Sequence, residues 1–193
     1  RLEVGDTSSA KLGWEDPAAH YERFRILSSR VDLNYKSILD VGSGLGDLWQ
    51  HLSAAGVLVR YCGVDILPDM VNRSRARFPD VDFHCRDVIS NPDCMDCRFD
   101  VVYSAGIFNL AAISGPDFLA RAFDAFCRLA DDQVVISLLH AASPGREDQY
   151  CYFWPQDVLE LLARPGWELE IVEGYLQNGF TLFARRQEAS VQT

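Results

Sequence analysis

Three glycines separated by single residues, Gly42, Gly44 and Gly46, follow Asp40 at the end of the apolar run Ser37-Ile-Leu-Asp-Val41. Glycine at a strand-to-helix junction removes the Cβ that would keep a ligand off the backbone, so this segment is a candidate cradle for a small molecule. A second apolar run, Val57 to Val64, ends at Asp65. A carboxylate in that place can accept hydrogen bonds from both hydroxyls of a ribose diol. Loop and acid together point to a nucleoside-bearing cofactor.

Departures from the common nucleotide patterns narrow the choice. The dinucleotide pattern Gly-x-Gly-x-x-Gly requires glycine at position 47, where a helix N-terminus holds a pyrophosphate; Asp47 puts a negative charge there. No Gly-Lys-Ser/Thr occurs, and the lysines are Lys11 and Lys36 alone, so a P-loop is excluded. Tyr-x-x-x-Lys, a proton relay of short-chain dehydrogenases, is absent too.

Groups that could serve an acceptor are expected after the fourth and fifth strands, because ligands bind outside the carboxyl ends of parallel strands. Asn109, His140, Tyr150 and Tyr152 fall there, and His140, as the histidine among them, is the candidate general base. The run Tyr150-Cys-Tyr-Phe-Trp154 either lines an acceptor pocket or anchors the helix that follows. Cys94 and Cys97 have ligand-like spacing, but the four histidines and remaining cysteines supply no second pair, so no metal site is expected. Reduced thiols are the simpler reading of the six cysteines.

The elements that must position these residues alternate between short apolar runs and helical periods, the pattern of βαβ units feeding a mostly parallel sheet. A helix is expected from Pro17 to about Val31, with Phe24, Leu27 and Val31 on one face. Strands follow at Ser37–Gly42, Val57–Val64, Val81–Cys85, Phe99–Ser104 and Val134–Leu139, with helices after Gly46, at Pro68–Arg77, from Pro116 and at Pro155–Ala163. Leu169–Val172 and Phe180–Ala184 close the chain around Gln177-Asn-Gly179, a hairpin turn. Arg73, Arg75 and Arg77 read as a solvated helix end.

With 193 residues the chain is expected to form one domain over 1–193, of which 1–35 is a helical extension over the ligand site. Lys+Arg 18 against Asp+Glu 28 gives a net charge of −10, which repels phosphate backbones and anionic headgroups; neither nucleic acid nor membrane is an expected partner. The longest uncharged stretch, Val101 to Pro116, is too short and polar to cross a bilayer. RLEVGDTSSA lacks the apolar core of a secretory leader, and the expected location is cytoplasmic. Oligomeric state has no signal here.

Leu39-Asp-Val-Gly-Ser-Gly-Leu-Gly46, Gly63-Val-Asp65-Ile66, Arg86-Asp87-Val88 and Phe99-Asp-Val-Val-Tyr-Ser-Ala-Gly106 together resemble the four motifs of class I S-adenosylmethionine-dependent methyltransferases. The resemblance covers about residues 37 to 140. Leu12-Gly-Trp14, Arg23-Phe24 and Ser104 to Asn109 look like a bacterial branch acting on small acceptors. It implies a Rossmann-like α/β domain, a mostly parallel seven-stranded sheet closed by a C-terminal antiparallel hairpin, with helices on both faces. It further implies that Gly42, Ser43 and Gly44 run under the methionine part of S-adenosylmethionine, that Asp65 binds the ribose, and that Asp87 meets the adenine amino group. Val88 and Ile66 would flank the ring, and the backbone at Ser104 and Ala105 would accept from the methionine ammonium.

Asp40 is kept among the cofactor residues, although, like Asp47, it has the alternative of ordering the loop. Arg23 is a candidate partner for the cofactor carboxylate, with a solvated helix arginine as the equal alternative, and Trp14 either caps the pocket or staples the N-terminus. The expected reaction is methyl transfer to a small molecule. Amino-directed nucleic-acid and protein methylation lose weight because Ser104-Ala-Gly-Ile107 departs from Asn/Asp-Pro-Pro-Tyr/Phe. The alternatives are a nicotinamide oxidoreductase, discouraged by Asp47, and a non-catalytic S-adenosylmethionine-binding partner subunit, which would have a shallow or blocked acceptor mouth.

Overall fold

A run such as Val101-Val-Tyr-Ser104 or Val134-Val-Ile-Ser-Leu-Leu139 has no polar face, so it is stable only with both faces of its sheet covered. The computed structural model describes residues 17–187 and meets that demand with a seven-stranded sheet. In chain order the elements are α1 (Pro17–Arg30), β1 (Ser37–Val41), α2 (Asp47–Ala54), β2 (Arg60–Asp65), α3 (Pro68–Arg77) and β3 (Asp82–Cys85). A 3-10 turn at Pro92–Cys94 leads to β4 (Phe99–Ala105), α4 (Pro116–Leu129), β5 (Ala130–Leu139), α5 (Pro155–Leu162), β6 (Trp167–Val172) and β7 (Gly179–Arg186). Leu12, Gly13 and Trp14, and the first part of the expected extension, lie outside the described residues.

The strands lie in the order β3-β2-β1-β4-β5-β7-β6, parallel except for β7, which runs antiparallel to both β5 and β6. The strand order reverses between β1 and β4, where a crevice opens beyond the carboxyl ends of the strands. Ser104 Oγ donates to Val41 O at 2.8 Å and ties the two strand ends at that point.

Each face has its own core. On one face, α4 buries Leu119, Ala122, Phe123 and Phe126, a stripe set by its helical period, against Val102, Val134 and Ile136. On the other, Phe24 and Leu27 of α1 and Leu48 and Leu52 of α2 pack on Ile38, Val101 and Tyr103.

Element boundaries differ most from the expected ones in two places. Val57 and Leu58 are outside β2, which begins at Arg60; Leu58 instead accepts a hydrogen bond from Tyr35 N–H at 2.6 Å and is exposed. β5 begins at Ala130, directly at the end of α4, because Ala130 pairs with Phe99 across a register shift in β4. Tyr150 to Trp154 anchors rather than lines: Phe153 is buried, its N–H donates to Leu139 O at 2.9 Å, and its carbonyl accepts from Ala141 N–H at 2.8 Å. No described helix is long and apolar enough to cross a membrane.

Candidate functional site

β1 delivers Asp40 and Val41 to the crevice, and the chain then turns through Gly42, Gly44 and Gly46 with φ of +78°, +53° and +78°. This left-handed region carries little penalty only for glycine. The N–H groups of Gly42 and Ser43 both donate to Val64 O, at 2.8 and 3.0 Å, which pins the loop to the end of β2. A Cβ on Gly42 would lie 2.2 Å from Ile107 Cγ2, so the loop is also closed on by the segment after β4.

Asp65 ends β2 and is held at both oxygens: Oδ2 accepts from Gly44 N–H at 3.0 Å, Oδ1 from Leu67 N–H at 2.9 Å. Each carboxylate oxygen has two lone pairs, so each retains one for a ligand hydroxyl. Asp87, just past β3, accepts from the N–H groups of Ser90 and Ile89 at 3.0 and 3.2 Å, and the Ser90 backbone bond leads in holding its carboxyl below the usual range.

Beyond these loops lies a cavity of about 980 Å³. Asp40, Gly42, Ser43 and Asp65 line it, and so do Ile66 next to Asp65, Asp87 and Val88 just past β3, and Ala105 at the end of β4. Gly44 reaches it only through its bond to Asp65, and Ser104 is fully buried beneath, bonded to Val41.

The buried end of the cavity is acidic. Burial pushes the Asp40 carboxyl up to about 7; the Tyr61 hydroxyl, which donates to it at 2.6 Å, pulls the other way, and Asp65 and Asp47 add to the rise. Asp47, also buried, opens α2 and accepts from Arg77 at 2.6 Å, with His20 Nε2 at 3.7 Å. The chain's own carboxylate therefore occupies the helix N-terminus that a pyrophosphate would use. Arg77 is no solvated helix end: it joins α3 to Asp47 and to Leu45 O at 3.0 Å, and Arg75 donates to Phe83 O. Sequence spacing gave no signal for that ion pair, since its members are thirty residues apart.

Three further expected site residues, Arg23, Asn109 and His140, also lie outside the cavity lining. Arg23 is 2% exposed, donates to Ala19 O at 2.8 Å and lies beside Gly179, where a Cβ would meet its Nη2 at 3.1 Å. Burial lowers its pKa, while Tyr175 and then Tyr103, itself a lining residue, favour its charge. Asn109 uses its backbone, accepting from Cys151 N–H at 2.8 Å, to fasten the 106–115 loop. His140 is fully engaged: Nδ1 accepts from Ala142 N–H at 2.8 Å, which places its proton on Nε2, 2.8 Å from Glu173 Oε1. An imidazole held this way clasps the loop and does not line the cavity. Among the described residues no group of metal-ligating side chains forms, Cys94 and Cys97 included. Lining residues that spacing did not reveal include Tyr103 and the wall built by Ile107, Leu110, Ile113, Phe118 and Arg121.

A family model described as a methyltransferase domain matches residues 38–131. A provisionally named methyltransferase of Mycobacterium tuberculosis is 36% identical over 77 residues, a match that spans 38% of this chain and 43% of that relative. The magnesium protoporphyrin IX methyltransferase of Synechocystis PCC 6803, solved with bound S-adenosylmethionine, aligns with a TM-score of 0.67 at 16% identity, over 95% of this chain and 87% of that one. A TehB-like S-adenosylmethionine-dependent methyltransferase from Corynebacterium glutamicum aligns with a TM-score of 0.67 at 22% identity, over 93% and 97% of the two chains. Residues 38–131 are thus similar to a methyltransferase domain, and the fold of the chain is the one seen in solved S-adenosylmethionine-dependent methyltransferases.

Proposed function

We propose that the cavity binds S-adenosylmethionine and that the chain transfers its methyl group to a small acceptor. The observation that carries this reading is the left-handed glycine loop bonded to Asp65, at the edge of a cavity whose buried end holds carboxylates where a pyrophosphate binder would present N–H donors. The cofactor supplies an activated methyl on a sulfonium and carries an ammonium but no phosphate, so an acidic floor suits it.

In this reading the backbone of Gly42, Ser43 and Gly44 runs under the amino-acid part, and Asp65 accepts from the ribose hydroxyls. Asp87 accepts from the adenine amino group between Ile66 and Val88. Asp40, with the carbonyls of Ser104 and Ala105, faces the ammonium. Arg23, behind Tyr103, biases that end toward the cofactor carboxylate. Displacement at an activated carbon gains most from holding the acceptor in line, so the chain's main contribution is positioning and exclusion of water. Because His140 and Asn109 stand outside the lining, an acceptor that is already nucleophilic at neutral pH is favoured over one that needs its proton removed.

Incubation of the chain with methyl-labelled S-adenosylmethionine and a panel of small amines, thiols and phenols tests the reading. Label transferred to one class of acceptor, with S-adenosylhomocysteine formed in equal amount, is the expected result. Binding without transfer to any acceptor would favour the non-catalytic subunit.

A further inference from the structure

At about 980 Å³ the cavity reaches the upper end of the roughly 300–1,000 Å³ that holds a drug-sized ligand, so a cofactor leaves room beside it. The wall facing that room is built by the 106–115 loop and α4. Ile107, Leu110, Ile113 and Phe118 make it apolar, and Leu110 and Ile113 are 49% and 60% exposed at its mouth. Open apolar surface of this kind is unfavourable by about 25 cal/mol per Å², and a ligand with an apolar body would cover it.

Arg121 stands one helical turn after Phe118 on the same face of α4, with Asp124, Ala125 and Arg128 continuing that face into the lining. The neighbouring charges are satisfied: Asp124 pairs with Arg164, and Arg128 with Asp93 at 2.7 Å. Arg121 is different. Among the described residues it has no ion-pair or hydrogen-bond partner, and neither has Arg86 on the opposite, cofactor side. Carboxylates outnumber lysines and arginines 28 to 18 in this chain; Arg25, Arg30, Arg60 and Arg98 on other surfaces each face one, and Arg185 on β7, which does not, is outside the cavity lining. A cation left open beside an apolar wall in so acidic a chain marks where the missing anion belongs to a ligand.

We infer that the acceptor is a small molecule with an apolar, preferably planar body and one carboxylate, and that Arg121 receives that carboxylate. The guanidinium fork matches a carboxylate in two parallel hydrogen bonds and sets the orientation of the body along the wall. The inference rests on the methyltransferase reading for the identity of the ligand beside it, and on the wall alone for the chemistry.

The test is calorimetric titration of the full chain, saturated with S-adenosylhomocysteine, with naphthoate and with its neutral isostere naphthamide. The wild type is expected to bind naphthoate at least about tenfold more tightly. In Arg121→Gln that preference shrinks to within about twofold while the affinity for S-adenosylhomocysteine is unchanged; in Arg86→Gln the preference persists. Equal binding of the two probes, binding of neither, or a preference that survives Arg121→Gln overturns the inference. Loss of S-adenosylhomocysteine affinity in Arg121→Gln overturns it too, because the arginine then serves the cofactor. Should the wild type not bind S-adenosylhomocysteine, the methyltransferase reading falls by itself, and the naphthoate preference in the ligand-free chain still decides the role of Arg121.

Discussion

The two walls of the cavity are built in opposite ways. Toward β1, β2 and β3 the lining comes from tight loops whose shape is dictated by backbone: glycines at positive φ, N–H groups pinned to Val64 O, and carboxylates bonded at Asp65 and Asp87. Toward α4 the lining comes from side chains on the 106–115 loop and one helix face, with apolar groups open to solvent and Arg121 unpaired among the described residues. A wall fixed by backbone and short carboxylates suits a constant ligand, while a wall of side chains can change with the acceptor and leave the first wall untouched. Under the proposed function the first wall serves the cofactor and the second the acceptor.

Substitutions on the first wall should therefore damage cofactor binding, in proportion to how far each alters the backbone. Gly42→Ala puts a Cβ 2.2 Å from Ile107 Cγ2 at φ +78°, and forces a left-handed conformation that costs about 1–2 kcal/mol before any clash is relieved. The expected loss of S-adenosylhomocysteine affinity is about 100-fold by calorimetry; intact binding would detach the loop from the cofactor. Asp65→Ala removes charge-assisted bonds and releases Gly44, and should weaken the same affinity by about 1–3 kcal/mol. A change below twofold would place the ribose elsewhere.

A smaller, pH-dependent effect is expected at Asp40. Its carboxyl, raised to about 7 chiefly by burial, is largely protonated at pH 6 and ionised at pH 8. Affinity for a ligand whose ammonium faces it should rise across that interval by up to about tenfold and level off above it, with a proton released on binding at pH 6. Asp40→Asn should abolish the rise. The folded pKa lies above the ordinary 3.8, so folding stability falls as pH climbs from about 4 to about 7. The melting temperature of Asp40→Asn relative to wild type should accordingly be highest at pH 8. The second wall supplies the smallest effects on the cofactor: Ile113→Ser should shift S-adenosylhomocysteine affinity by less than about twofold. A shift as large as that of Asp65→Ala would erase the distinction between the walls. His140→Ala should cost about 1 kcal/mol of stability through the lost clasp and leave cofactor affinity alone.

Legibility in the sequence follows the same division. Asp40, the glycines and Asp65 each sit within a few residues of the strand that positions them, so type and spacing single them out, whereas Asp87 is singled out only by the resemblance to the family motifs. The seven-stranded, mostly parallel sheet and its antiparallel C-terminal hairpin come with the family motifs and agree with the sheet observed. Arg77 could not be read this way, because its partner Asp47 is supplied by a different helix. His140 looked available because Glu173, which holds its Nε2, is on the far side of α5 and β6 in the chain. Arg23 read equally well as a solvated helix residue, and only packing against Gly179 shows it to be buried. Val57 and Leu58 are as apolar as a strand, yet pairing with β1 begins only at Arg60.

The claim that the glycine and carboxylate wall holds S-adenosylmethionine is tested most directly by calorimetric titration of the purified chain with S-adenosylhomocysteine and, separately, with NADH. The account predicts saturable heat with S-adenosylhomocysteine, diminished in Asp65→Ala, and none with NADH. Heat with NADH alone would contradict it and assign the cavity to a nicotinamide cofactor.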